Sequence, residues 1–231
     1  MSYEEMEENE EKFVSLFSNR YDNNLKIYAN KVMSDDPFFN RAYIQSNAFN
    51  LEEFESICKM LNVKIYLYAY KEHKELERYG YILYDKISTL LLESPYLIKG
   101  IEHIRIERVK ETKEWLDVYS VAFEDYRDEM ENRLRHAKEL ELYTANIKDK
   151  TVGCMALLSS KSLLGLYCLG ILPEFRMLGV ASSLIRYAYL SSRERNLYLF
   201  LQTFLKDNLL RYYIKRGFVQ MYIKYIYTKA S

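Results

Sequence analysis

The stretch that decides the fold is residues 169–182, LGILPEFRMLGVAS. An apolar run ends at Pro173. Arg176, Met177, Leu178 and Gly179 then lead into Val180, Ala181 and Ser182, where a helical pattern begins with Val180, Leu184, Ala188 and Ser191 in one row. Proline has no N–H to give to a strand ladder, so the strand stops there. The first turn of a helix offers unpaired N–H groups and a partial positive charge, which together make an anion site. Glycine at 179 removes the Cβ that would hold a ligand off the backbone, and Ala181 keeps the next close position small. Arg176 is placed to hold the loop or to meet a phosphate oxygen. The pattern predicts a strand–loop–helix cradle for a pyrophosphate.

Working outward, residues 104–109 alternate as a strand, and residues 112–123 and 125–140 carry apolar positions at helical spacing. LYTANI, a KDK turn and TVGCMALL read as a hairpin, followed by the apolar strand 163–172. A helix over 178–192, a buried strand over 197–203, a helix over 207–216 capped by Asp207 or Asn208, and a final strand from Gly217 complete the order. Pro95 and Gly100 mark a boundary near 95–102, giving an expected division into 1–101 and 102–231. In the first part, residues 4–18 and 51–62 read as helices, the second with an N-cap at Asn50, and 41–45, 63–70 and 79–93 read as strand regions.

The chain has 231 residues, of which 49% are apolar, enough to bury a full core. Its three cysteines, Cys58, Cys154 and Cys168, form no CxxC pair, and its three histidines lack metal-ligand spacing, so no disulfide framework and no metal site are expected. The longest apolar run, residues 163–172, is too short for a bilayer, and the acidic start MSYEEMEENEEK is unlike a signal peptide. A cytoplasmic protein with no membrane partner follows. The zero net charge divides into −8 over residues 1–150 and +8 over residues 151–231. Such a local field suits a small phosphate-bearing ligand, and a nucleic acid is not required to explain it.

About 36 residues beyond Gly179 comes YYIKRGF. Here residues 102–231 resemble the GCN5-related N-acetyltransferase (GNAT) superfamily. Arg176, Gly179 and Ala181 match its acyl-CoA signature [QR]-x-x-G-x-[GA], and YYIKRGF is similar to its later motif, with a tyrosine four residues before a glycine. The resemblance implies an α/β (α+β) fold with a mixed, mostly antiparallel central sheet flanked by helices. It implies acetyl-CoA as cofactor and an amine acceptor, a small molecule or a peptide. It also implies roles for residues. Leu169, Gly170 and Ile171 would pair with the pantetheine arm, and the N–H groups from Met177 through Leu178, Gly179, Val180 and Ala181 to Ser182 would hold the pyrophosphate beside Arg176. A backbone N–H near Ile171 would stabilise the oxyanion. Tyr213, with Tyr212 as its alternate, would protonate the departing thiolate. Glu124, Asp125, Asp128 and Glu129 in FEDYRDE are the acidic groups beside the acceptor region.

Residues 75–92, ELERYGYILYDKISTLLL, line up with residues 212–229, YYIKRGFVQMYIKYIYTK, and each is preceded by a helix and a strand. The first part therefore reads as a smaller, degenerate GNAT-like half that lacks an Arg-x-x-Gly-x-Ala segment. Two other readings remain at this stage: a CoA-binding module without catalysis, and aminoacyl transfer on a tandem fold, against which residues 176–181 argue. The acceptor, the acyl chain and the choice between monomer and homodimer are not written in the sequence.

Overall fold

The computed structural model describes residues 2–22, 25–44, 49–95, 98–123 and 126–230. They form two compact units, each assembled from three segments of chain. The first comprises residues 1–11, 89–202 and 211–221, and the second residues 12–88, 203–210 and 222–231. Neither coincides with 1–101 or 102–231, because strands β5 (Tyr81–Leu92), β10 (Tyr198–Phe204) and β11 (Phe218–Lys229), and helix α1 (Tyr3–Phe17), each give residues to both.

The first unit carries a mixed sheet in the order β11–β5–β10–β9–β8–β7–β6, with β6 at Ile104–Arg108, β7 at Leu140–Ile147, β8 at Lys150–Ser160 and β9 at Leu163–Ile171. Strands β6 to β9 are antiparallel neighbours, and β9 runs parallel to β10. Parallel neighbours need a crossover, supplied here by α5 (Val180–Glu194). Helix α3 (Thr112–Ala122) buries Trp115, Leu116, Val118 and Tyr119 on one face. The Trp115 indole stacks on Tyr119 and donates from Nε1 to the Met155 carbonyl at 2.9 Å, which satisfies its one polar atom. Helix α4 spans only Arg127–Leu134, shorter than the expected 125–140. Tight bonds from His136 and Ala137 N–H to the Arg133 and Leu134 carbonyls turn the chain towards β7.

Residues 2–11 of α1 join this unit through buried polar groups. Asn9 donates to the Leu158 carbonyl (3.1 Å) and to Ser160 Oγ (2.6 Å), and accepts from the Tyr167 hydroxyl (2.8 Å). Glu10, fully buried, accepts from Gln202 Nε2 at 2.7 Å.

In the second unit the order is β1–β2–β3–β4–β11–β5, with β1 at Asn19–Asp22, β2 at Ile27–Ala29, β3 at Arg41–Tyr43 and β4 at Tyr66–Ala69. Strands β1 and β2 were not readable: one is largely exposed and the other is three residues long, so neither shows an alternating pattern. Helix α2 (Leu51–Leu61) starts at the expected Asn50 cap, whose side chain accepts from the Glu53 N–H at 3.1 Å. The core contains a fully buried Arg41. Its guanidinium lies 4.3 Å from the ring centroids of Phe38 and Tyr68 and donates to the Phe38 carbonyl and the Tyr43 hydroxyl.

The two halves of the chain contain the same run of elements. β3–α2–β4 and β9–α5–β10 are both parallel crossovers. Gly80 (φ 78°) and Gly217 (φ 88°) each take the left-handed conformation after a helical segment, and each opens a 12-residue strand. The helix expected over 207–216 is the 3-10 turn Leu205–Asp207 followed by α6 (Leu210–Ile214). Asn208 does not cap it but sits at φ 57°, a conformation that breaks helical continuation.

Candidate active site

The segment LGILPEFRMLGVAS, from which a cradle is expected, lies within the first unit. Strand β9 pairs with β10 from Leu163↔Tyr198 to Leu166↔Leu201. Both strands continue, to Ile171 and Phe204, but beyond that point the register holds no further pairs between them. The β10-facing edge of residues 167–171 is therefore released from the ladder.

On its other edge β9 carries a bulge. Cys154 pairs with Gly170 and Ala156 with Tyr167, so Cys168 and Leu169 together face Met155. Cys168 takes φ 51°, unusual for a residue with a side chain. A bulge bends its strand and re-aims backbone groups, and this one sits where β9 leaves β10. Leu169 and Ile171 are half-exposed, while Gly170 is buried, and a Cβ there would approach Ala122 Cβ and Phe123 Cε2 to 2.8 Å.

Pro173 opens a 3-10 turn, Pro173–Phe175. Two cations fasten the loop. Lys150 Nζ bonds Glu174 Oε1 (3.1 Å) above the Phe175 ring (4.8 Å), and Arg176 Nε donates to the Ile171 carbonyl (3.3 Å). Arg176 thus holds the loop to the end of β9. Met177, fully exposed, and Gly179 both take positive φ, 63° and 80°, and Leu178 is half-exposed.

Gly179 is the N-cap of α5, which carries no side-chain cap, so its first N–H groups point out of the helix without one. The glycine has a second reason that the sequence did not disclose. A Cβ at 179 would overlap Ile101 Cδ1 and lie 3.1 Å from Ile101 Cγ1. The Ile101 backbone is anchored to the same helix, its N–H donating to Ser183 Oγ at 3.0 Å. Within α5, Val180 and Ser182 are buried and Ala181 is half-buried.

Helix α6 closes one side. Tyr213 is buried, its ring set edge-on to Tyr212 (5.3 Å) and Phe218 (5.8 Å). The Tyr212 hydroxyl lies 3.4 Å from Ser182 Oγ, so the alternate tyrosine is the one that meets the first turn of α5. Arg216, which sequence reasoning passed over, lies at the same place. Its Nε donates to Ser182 Oγ (3.0 Å), and its guanidinium carbon is 3.3 Å from the Tyr212 ring centroid. The only signal for it was its place in YYIKRGF within the basic segment.

Cys154 lies beneath Gly170, and burial pushes its thiol well above the ordinary range, which keeps it protonated and poorly nucleophilic. Of the acidic groups in FEDYRDE, Glu124 and Asp125 lie outside the described residues. Asp128 is exposed, and Glu129 accepts from Arg133 Nε at 2.8 Å. Among the described residues no group of three His, Cys, Asp or Glu is set to hold a metal ion, and no helix is long and apolar enough to cross a membrane.

A family model described as an acetyltransferase (GNAT) domain matches residues 108–226. No curated protein matches the sequence. Among solved structures, the chain is similar to a conserved protein of unknown function from Staphylococcus epidermidis ATCC 12228, with a TM-score of 0.71 at 18% identity over 95% of this chain and 97% of that one. It is also similar to a GCN5-related N-acetyltransferase from Kribbella flavida, with a TM-score of 0.63 at 14% identity over 85% and 84% of the two chains. A tandem GNAT protein from the clavulanic acid biosynthesis pathway gives 0.55 at 9% identity over 81% and 74%. At these identities the likeness bears on the fold alone, and a two-half arrangement is consistent with the last of them.

Proposed function

The chain belongs to the GNAT acetyltransferase family, and from that premise we propose that it transfers an acetyl group from acetyl-CoA to a primary amine by direct attack, with both reactants held in one cleft. The observation that carries the reading is the parting of β9 from β10 after Leu166↔Leu201, directly before the uncapped first turn of α5. That combination leaves a free strand edge for an amide-bearing arm and a set of N–H donors for a pyrophosphate, which are the two things acyl-CoA asks of a protein.

Bound there, acetyl-CoA supplies an activated thioester. The backbone of Leu169, Gly170 and Ile171 pairs with the pantetheine arm. The N–H groups of the loop and first turn, from Met177 to Ser182, hold the pyrophosphate, with Arg176 fixing the loop that presents them. An N–H near Ile171, beside the bulge at Cys168–Leu169, faces the carbonyl oxygen as it gains charge. The Tyr213 hydroxyl gives its proton to the departing sulfur, and the proton that the attacking nitrogen sheds restores the tyrosinate. Fixing both reactants in one cleft supplies the orientation that direct attack requires. The protonated state of Cys154 supports direct attack over a relay through that thiol.

A panel of amines, small polyamines, amino sugars and peptide N-termini, assayed with acetyl-CoA by release of free thiol, tests the reading. Turnover with at least one acceptor is the expected result. Tight CoA binding with no thiol release from any acceptor would overturn it in favour of a CoA-binding module without catalysis.

A further inference from the structure

Met177 and Leu178 leave the exposed rim of the loop apolar, so the loop offers no cation beyond Arg176, and Arg176 is turned back onto Ile171. A pyrophosphate in this cradle would otherwise rest on backbone dipoles alone. We propose that Arg216 is a pyrophosphate-binding residue of the acyl-CoA site, supplying from the turn after α6 the positive charge that the loop lacks. This inference rests on the acyl-CoA reading above.

Three observations carry it. The guanidinium is brought to the first turn of α5 by its bond from Nε to Ser182 Oγ (3.0 Å). It is held in a fixed plane by the Tyr212 ring, 3.3 Å from its central carbon, and by a bond from Nη1 to the Tyr212 carbonyl (3.0 Å). These bonds use two of the five N–H donors a guanidinium carries. The charge is also uncompensated: among the described residues no carboxylate pairs with Arg216, the first turn of α5 holds no acidic residue, and Glu174 in the loop is taken by Lys150. A planar cation with donors left over, preorganised beside outward-pointing N–H groups, suits a planar two-pronged contact to phosphate oxygens. The alternative is that Arg216 only staples α6 to α5 through Ser182.

Calorimetric titration of the full chain with CoA, 3′-dephospho-CoA and pantetheine separates the two. Wild type is expected to bind both nucleotides well and pantetheine weakly. Arg216→Gln is expected to lose at least about tenfold on CoA and on dephospho-CoA alike, so that the preference for CoA over pantetheine falls by the same factor. Arg216→Lys keeps the charge without the two-pronged geometry, and its loss should be smaller. It also carries the test if Arg216→Gln fails to fold, as judged by circular dichroism. An equal loss on CoA and pantetheine overturns the proposal in favour of a staple. So does an unchanged CoA affinity, or a loss confined to the ligand bearing the 3′-phosphate. If wild type binds neither nucleotide, the acyl-CoA reading itself has failed, which is a different result from any of these.

Discussion

Gly179→Ala is the substitution whose cost the structure states most fully. The backbone at 179 is left-handed, with φ at 80°, and a residue with a Cβ gives up about 1–2 kcal/mol there. The new methyl would also overlap Ile101 Cδ1. The Ile101 backbone is tied to Ser183 Oγ in the same helix, so relief must come from turning its side chain out of the way. Overpacking of this kind costs about 1–3 kcal/mol, so the total is about 2–5 kcal/mol. In a chain of this length each kcal/mol lowers Tm by about 2–4 °C, so a fall of roughly 4–20 °C is expected. Trp115, the single tryptophan, is buried in the same unit, and its fluorescence during urea unfolding reads the effect. A double-mutant cycle with Ile101→Ala isolates the packing part. The Gly179→Ala penalty should shrink by about 1–3 kcal/mol in the Ile101→Ala background, leaving the backbone part. A total cost below about 1 kcal/mol, or a penalty that ignores Ile101, would refute the reasoning.

Three other outcomes are expected. Tyr213→Phe should lower kcat at neutral pH by about a hundredfold or more. The deficit should narrow above the ordinary thiol pKa of about 8.5, where a thiolate leaves unaided, and an equal deficit at both pH values rejects the acid role. Asn9→Leu removes the bonds to the Leu158 carbonyl and Ser160 Oγ and the bond from the Tyr167 hydroxyl, each worth about 0.5–1.5 kcal/mol. Urea unfolding followed at Trp115 should show a loss of more than about 2 kcal/mol, and a neutral result would mean the network does not fasten α1. Glu141 is held below the usual carboxylate range first by its bonds from Arg195, and also by the Tyr143 hydroxyl. A depressed folded pKa gives stability that is present above the unfolded value, near 4.5, and is lost as pH falls through the folded one. Glu141→Gln should therefore lower Tm at neutral pH, with the gap starting to close below pH 4.5 and vanishing only once pH has fallen through the depressed folded pKa. A difference that stays constant with pH contradicts this.

In LGILPEFRMLGVAS the strand end at Pro173, the loop and the helix start were legible because each follows from local chemistry: a missing N–H, a glycine, a run of helical spacing. The same holds for the alignment of Gly80 with Gly217 and for the helix and strand before each, while the left-handed φ values and the parallel crossovers came only from the structure. Strands β1 and β2 escaped because pairing, not side-chain pattern, defines them.

What only the tertiary structure decided involves residues far apart in sequence. The bulge at Cys168–Leu169 exists through the register of β8 against β9. The occupant of the space at Gly179 is Ile101, from a loop some eighty positions earlier. Tyr212 and Arg216 reach Ser182 only because α6 packs at the first turn of α5. The segment by itself determined that a helix would begin with open N–H groups, since that depends on the backbone and its nearest neighbours. Which cation stands beside them depends on where a later helix comes to rest, and no local pattern encodes that distance.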